Sequence, residues 1–317
     1  MDRFITRPKH NLAAWQLKPN KRPFVVGNAP YSSPPKDHVL IQVIDVAINP
    51  IDWILQENDI FGLKYPAILG DDVAGEIVEV GDGVEDLHAG QRVIAINTSR
   101  GVVLPLGIST AAAGLYQKGY LDLPFPTEKP DAQDRTVIIW GGSSSVGSCA
   151  IQLAVASGLH VVTTASPKNF DYCKELGAKH CFDYHDEDVE DQIVRELEGK
   201  TVVGAYHAVG GDGAVQSCAR IVDRTKGKAI VVTVRGVPEK GIPSSVRAKS
   251  ISSSAIFTNE VGPYIWREFL PKALESGTIV PAPEPLIVGE ELRSVQLGLD
   301  TQKKGVSAAK VVVTNIS

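Results

Sequence analysis

No cysteine precedes Cys149, and the four present, Cys149, Cys173, Cys181 and Cys218, form no CxxC pair. That spacing excludes a structural zinc lobe and a disulfide framework, and predicts four reduced thiols packed as small apolar groups. No apolar run reaches the roughly 20 residues that a membrane span needs, and Met1 to His10 is too polar for a secretory signal, so the cytosol is the expected compartment. A strong charge of either sign is also missing. The formal net charge is −5 with 22% charged residues, which argues against nucleic acid or an anionic membrane as the main partner and leaves room for a local basic pocket. The 7 histidines are scattered, and no Ser-His-Asp or Cys-His arrangement is legible. What remains is ordinary: 317 residues, 43% of them hydrophobic, suit two domains with a sizeable core.

One stretch names a ligand. Thr136 to Trp140 is a β-branched and aromatic run fit for a buried strand, broken by Gly141 and Gly142. From Ser145 the period changes: Val146, Cys149, Ala150, Leu153 and Ala154 fall at helical spacing until Gly158 stops the helix. Leu159 to Thr164 is then a second strand. Strand, glycine-rich turn, helix and strand predict the first βαβ unit of a dinucleotide-binding domain, with the pyrophosphate on the amides at the helix start. Gly142 and Gly147 take the outer positions of the GxGxxG fingerprint, with Ser143, Ser144, Ser145 and Val146 between them. Ser144 replaces the middle glycine, and its hydroxyl is expected either to donate to a phosphate or simply to fill a small turn.

The end of the second strand selects the nucleotide. An Asp or Glu there, roughly 20 residues after the first glycine, would hold a ribose 2′-hydroxyl; the chain instead has Ser166, Pro167, Lys168 and Asn169. Ser166, Lys168 and Asn169 suit a 2′-phosphate, which favours NADPH over NADH. The same residues also make a good helix start, with serine as N-cap and proline in the first turn.

Elsewhere the pattern divides the chain. Asn11 to Val26 predicts edge strands or a hairpin, and Val39 to Ile48 a strand ended by Pro50, which leaves Asn49 and Asp52 either facing a cleft or satisfying a turn. Pro66 to Arg92 is punctuated by glycines and predicts a small, partly open β-barrel, in which Asp71 and Asp72 are expected to act as local caps. Ser109 to Gln117 is helical. Cys181 to Tyr184, Val202 to Val209 (ending at Gly210) and Lys228 to Val234 are strands. Asp188 to Leu197 and Ala214 to Val222 are helices, and this alternation predicts a doubly wound parallel sheet. Tyr264 to Glu275 and Glu290 to Leu299 are further helices, Pro281 to Pro285 an extended link, and Ala309 to Val313 a final strand.

The ordered set Asn49-Pro50-x-Asp52, Leu69-Gly70-Asp71-Asp72-x-Ala74-Gly75, Val80-Gly81 and Gly90-x-Arg92-Val93, followed by the βαβ unit, resembles the zinc-free branch of the medium-chain dehydrogenase/reductase family. That branch includes quinone oxidoreductases and fungal trans-acting enoyl reductases, and Leu104 to Leu115 and Ala165 to Gly177 especially resemble fungal members. The resemblance implies an α/β fold with a GroES-like domain (1–107 and 260–317) and a Rossmann NADP(H)-binding domain (108–259). It places Thr110 near the nicotinamide, Tyr184 near the adenosine 2′-phosphate, and Val209 and Gly210 beside the cofactor. Asn49 stands where zinc-dependent members carry a metal-binding cysteine, so no metal is expected. Between Ile96 and Val102 the family carries a further strand and a proline-rich segment, where here only Asn97 to Gly101 stand. Either the chain is truly shorter at the cleft or a mobile loop is missing from it; the second is favoured, because losing a strand would leave core exposed. Ile54 stands where some enoyl reductases have a lysine, which weakens the case for an acyl-carrier or CoA thioester.

The expected chemistry is hydride delivery from NADPH to a quinone, enone or enoyl acceptor. Such acceptors need held geometry and a donor for the developing oxyanion, here Asn49 or Thr110, with Asp52 orienting Asn49. The alternatives are a trans-acting enoyl reductase docked to a polyketide synthase, and a cofactor-binding sensor or structural protein without turnover. A monomer or homodimer is expected.

Overall fold

Two sets of strands with opposite pairing habits make up the computed structural model, which describes residues 11–94, 98–211 and 213–316. Met1 to His10, and Ile96 and Asn97 of the short junction, lie outside the described residues. In chain order the strands are β1 (Leu12–Gln16), β2 (Val25–Asn28), β3 (Val39–Ala47), β4 (Ala67–Ile68), β5 (Asp72–Val80), β6 (Arg92–Val93), β7 (Thr136–Trp140), β8 (His160–Ala165), β9 (His180–Asp183), β10 (Val202–His207), β11 (Ile230–Thr233), β12 (Arg247–Ser250), β13 (Glu284–Glu290) and β14 (Ala309–Thr314). They fall into two compact units: one reaches to Pro105 and resumes at Glu284, the other runs Leu106–Pro283.

The first unit is the GroES-like one. Its sheets are ordered β2-β1-β4 and β13-β14-β3-β5-β6, antiparallel except for the β13–β14 pair. Its apolar centre is Ile48, Leu299 and Val311, with Trp53, Val288 and Val295 packed around them. Pro285 is admitted in β13 because that strand is a sheet edge, where a missing N–H leaves no ladder partner unsatisfied.

The second unit is the Rossmann one, a six-stranded parallel sheet ordered β12-β11-β10-β7-β8-β9. All five residues of β7 are buried, as a central parallel strand covered on both faces requires. The helix Ser145–Ala156 follows it, and Gly158 ends that helix at φ +79°; a Cβ there would also come within 2.1 Å of the Asp131 carbonyl oxygen. Cys149, Cys173 and Cys218 are buried free thiols and Cys181 is half-buried. Among the described residues no helix is long and apolar enough to cross a membrane.

Several boundaries differ from the sequence expectation. Pro50 opens a helix, Pro50–Glu57, rather than a turn, because its fixed φ and absent N–H suit a first helical turn. The helix expected from Ser109 begins at Pro105 for the same reason. Tyr264 to Glu275 is broken into a turn of π-helix, Tyr264–Phe269, and a helix Leu270–Ser276, since Pro271 has no N–H to continue the ladder. The chain returns to the first unit at Glu284, where 260 was expected. The intervening segment stays with the parallel sheet: Tyr264 stacks on Phe125 at 4.5 Å and donates to the Pro126 carbonyl at 3.0 Å, and Asn259 donates to Gln117 at 3.1 Å.

Candidate functional site

In the parallel unit the turn after β7 is built from backbone. Gly141 has φ +89° and a Cβ on it would lie 2.2 Å from Val209 Cγ1; one on Gly142 would lie 2.3 Å from Thr163 Oγ1, and one on Gly147 2.1 Å from the Gly141 oxygen. These contacts draw the turn against the ends of β8 and β10. The Gly141 amide donates to Thr164 Oγ1 at 3.0 Å and the Gly142 amide to the Thr164 carbonyl at 2.9 Å. Ser144 is the N-cap: its hydroxyl oxygen accepts from the Gly147 amide at 3.0 Å, and its hydroxyl hydrogen is directed at the carbonyls of Gly141 and Ala208, 2.8 and 3.1 Å away. The hydroxyl expected as a phosphate donor is therefore committed inside the turn. Two features fit a phosphate instead. The amides of Ser145 and Val146 lie in the first helical turn, where no intrahelical acceptor exists. Ser145 Oγ is buried and has no hydrogen-bond partner among the described residues.

The predicted nucleotide residues gather here. Asn169 Nδ2 donates to Ser143 Oγ at 3.3 Å, tying the end of β8 to the glycine turn. Ser166 starts the short 3₁₀ turn Pro167–Asn169, yet its side chain makes no cap; its hydroxyl lies 3.2 Å from the Tyr184 hydroxyl, at an exposed edge that Lys168 shares. Gly210 is exposed, and a Cβ on it would lie 2.6 Å from the Arg235 guanidinium, a cation the sequence pattern did not single out. Thr110 sits in the second turn of its helix and donates to the Leu106 carbonyl at 2.6 Å, so it caps nothing; its own carbonyl accepts from the buried Tyr206 hydroxyl at 2.7 Å. His207, fully buried on β10, is within 2.9 Å of Thr233 Oγ1, and burial first, then the Arg235 charge, lowers it to about 4.

Asn49 and Asp52 belong to the other unit and meet there in a buried charged cluster. Asp52 reaches back to the Asn49 backbone N–H at 2.7 Å, the carboxylate half of a capping box, and so fixes the start of the helix Pro50–Glu57. The Asn49 side chain faces away from the helix: Nδ2 donates to Asp72 at 2.8 Å and Oδ1 accepts from Lys310 Nζ. Lys310 also pairs with Asp72 at 3.0 Å, and both are almost wholly buried. Asp72 is thus no local cap. Its cation comes from the last strand, and the one charged residue in the apolar run Ala309 to Val313 was the signal for it. Burial raises Asp52 to about 7, helped by the charges of Asp71 and Asp72 and opposed by the Asn49 amide and Lys310. Asp71 is raised too, by burial and then by Asp72.

The cluster does not fit zinc. Asn49 and Asp72 are occupied by an ammonium group, which repels a dication, and no thiolate or imidazole belongs to the cluster. Among the described residues no three His, Cys, Asp or Glu side chains stand close enough to share a metal ion.

Residues 35–118 match the alcohol dehydrogenase GroES-like domain family, and residues 145–275 the family described as zinc-binding dehydrogenase. The chain is 38% identical to the zinc-binding alcohol dehydrogenase domain-containing protein cipB of Emericella nidulans over 337 residues, covering 96% of this chain and 98% of that protein. It is 39% identical to the trans-enoyl reductase himH of Aspergillus japonicus over 338 residues, covering 96% and 97%. Both alignments are longer than the 317-residue chain, so these relatives carry segments that it lacks. Among solved structures, an alcohol dehydrogenase superfamily protein from Novosphingobium aromaticivorans superposes with TM-score 0.78 at 23% identity, covering 96% and 99% of the two chains. The quinone oxidoreductase of Escherichia coli complexed with NADPH does so with TM-score 0.70 at 18% identity, covering 96% and 99%.

Proposed function

Because the chain belongs to the medium-chain dehydrogenase/reductase family, an oxidoreductase family that uses NAD(P)H, we propose that it is an NADPH-dependent, zinc-independent reductase of quinones or α,β-unsaturated carbonyl compounds. The observation that carries the reading is the end of β8. The residues that directly follow β8 include no carboxylate to repel a 2′-phosphate, and the Asp183 carboxylate on the neighbouring β9 is engaged by His185. Ser166, Lys168 and Tyr184 share one exposed edge with hydroxyls and an ammonium to hold it. The glycine turn, the Ser145 hydroxyl and the first-turn amides would hold the pyrophosphate. NADPH bound in this way supplies the hydride.

The chain's own contribution to the chemistry is a donor for the oxygen that gains charge. Asn49 is proposed for this: Asp72 takes one of its two amide hydrogens, Lys310 anchors its oxygen, and the other hydrogen has no acceptor among the described residues. A fixed amide of this kind needs no reorganisation as charge develops. Asp52 is a positioning residue, holding the Asn49 backbone, and Thr110, whose hydrogen is committed to Leu106, is not counted as a donor to that oxygen. Without a Lewis acid, acceptors activated by conjugation are favoured over simple ketones and aldehydes.

A second reading, an enoyl reductase working in trans with a polyketide synthase, is favoured by the himH relative. Steady-state NADPH oxidation against small quinones, enones and enoyl thioesters, with NADH and added zinc as controls, tests both. Turnover of a free quinone or enone with NADPH, indifferent to zinc, supports the first; NADPH binding with turnover only on adding a synthase supports the second. Lys168→Ala is expected to raise KM for NADPH about tenfold and leave that for NADH unchanged; equal effects on both would remove the 2′-phosphate assignment.

A further inference from the structure

The proposed nucleotide site is divided between two turns, the glycine turn after β7 and Ser166 to Asn169 after β8. The amides of Gly141 and Gly142 tie the start of the first turn to Thr164, but past Ala165 the chain leaves the sheet. It continues as three residues of 3₁₀-helix and the six-residue helix Phe170–Glu175, elements too short to be stiff by themselves. Two side chains from this segment reach back to the glycine turn. Asn169 donates to Ser143 Oγ at 3.3 Å, long for an N–H···O bond. Tyr172 brings its hydroxyl to 2.8 Å from Ser148 Oγ, the ordinary length between two hydroxyls.

The direction of the second bond follows from its surroundings. Ser148 is fully buried, and its hydroxyl lies 2.8 Å from the Ser144 carbonyl and 3.3 Å from the Gly142 carbonyl. Carbonyl oxygens only accept, so the Ser148 hydrogen belongs to them and the Tyr172 O–H donates to Ser148 Oγ. A relay therefore runs from Tyr172 through Ser148 to the carbonyl of Ser144, the N-cap of the helix Ser145–Ala156, whose first amides face the pyrophosphate in the proposed reading. Hydrogen bonds joined in this way strengthen one another.

We propose that Tyr172 is a positioning residue for the nucleotide: through Ser148 it fixes the spacing of the two turns, so that binding of one phosphate group of NADPH favours binding of the other. This rests on the reading that the glycine turn holds the pyrophosphate and the turn after β8 the 2′-phosphate. The ribose sets a fixed separation between its 2′ and 5′ positions. Once one group is bound, the gain from the second depends on how closely the two turns already match that separation, and a braced pair of turns avoids the cost of being ordered by the ligand.

The test is calorimetric titration of the full-length protein with 5′-AMP, 2′-AMP and adenosine 2′,5′-bisphosphate. Wild type is expected to bind the bisphosphate at least about tenfold more tightly than either monophosphate. Tyr172→Phe removes one oxygen and is expected to weaken the bisphosphate and NADPH about tenfold, the upper scale of a single neutral hydrogen bond, while each monophosphate changes less than about twofold. Ser148→Ala, which removes the other end of the bond, is expected to give the same pattern, and the double variant no further loss. Unchanged bisphosphate affinity in Tyr172→Phe, equal losses for all three ligands, or additive losses in the double variant would each overturn the proposal while leaving the site assignment intact. Wild-type protein that binds the bisphosphate no more tightly than 5′-AMP would instead remove the 2′-phosphate assignment, and the proposal with it.

Discussion

The two polar centres of this molecule are built by opposite means. In the parallel unit, the turn from Gly141 to Gly147 carries no charge and is held by contacts among residues close in sequence or one strand away. In the GroES-like unit, Asn49, Asp52, Asp72 and Lys310 are buried charges and amides drawn from strands and a helix far apart in the chain. A site made from backbone tolerates side-chain changes and fails when a Cβ intrudes. A site made from paired charges tolerates no loss of a partner, because the charge left behind is stranded in low dielectric.

The largest expected effect tests that asymmetry directly. Lys310→Met strands Asp72 and the Asn49 oxygen, and is expected to cost about 4 kcal/mol, read by urea unfolding. A loss below about 1 kcal/mol would mean that the cluster is not sealed from water.

The two units also respond to pH with opposite signs. Asp52 rises from an ordinary 3.8 to about 7, so the folded state holds its proton more tightly than the unfolded chain and loses stability as pH climbs between those values. His207 falls from 6.5 to about 4, so the folded state keeps it neutral and loses stability as pH drops through that window. The Asp52 effect is worth about 4 kcal/mol and the His207 effect about 3 kcal/mol across their windows, and they oppose each other where the windows overlap, so wild-type Tm is expected to change little between pH 4.5 and 6.5. Calorimetry should show Asp52→Asn growing more stable with rising pH and His207→Gln less stable; parallel shifts in both variants would contradict the opposition.

On the backbone-built side, Gly147→Ala places a Cβ 2.1 Å from the Gly141 oxygen and is expected to weaken NADPH binding about a hundredfold. The smallest effect is that of Ser144→Ala. It loses a cap worth about 1 kcal/mol of stability but changes NADPH affinity less than about threefold, because the hydroxyl is turned toward Gly141 and Ala208. A large loss of affinity in fluorescence titrations would return Ser144 to the phosphate.

The same contrast governs what was legible in the sequence. The glycine turn and its strands could be read because the signals for them, the glycines and the change from strand to helical period, all lie within Thr136 to Ser166, and β7 follows from one unbroken apolar run. The missing carboxylate after β8 was equally local. The charged cluster was only half visible: Asn49 and Asp52 sit in one motif, but nothing near Asp72 announces a partner in the last strand, and that carboxylate reads as a turn residue. The helix Pro50–Glu57 was missed because proline signals a break and a helix start with the same letter. The direction of the Ser144 and Thr110 hydroxyls depends on which carbonyls lie within reach, and no spacing rule supplies that.

The pairing of Lys310 with Asn49 and Asp72 also sets an order of events during synthesis. The ribosome releases both acceptors long before the cation, with the whole parallel unit translated in between. Domains generally fold as they emerge, N-terminal first, but here the N-terminal segment must wait with uncompensated carboxylates while the second unit, whose sheet is contiguous in the chain, folds ahead of it. Chains interrupted before β14 should therefore present a folded nucleotide domain attached to an unclosed N-terminal half, a form that cellular quality control would recognise by its exposed barrel interior.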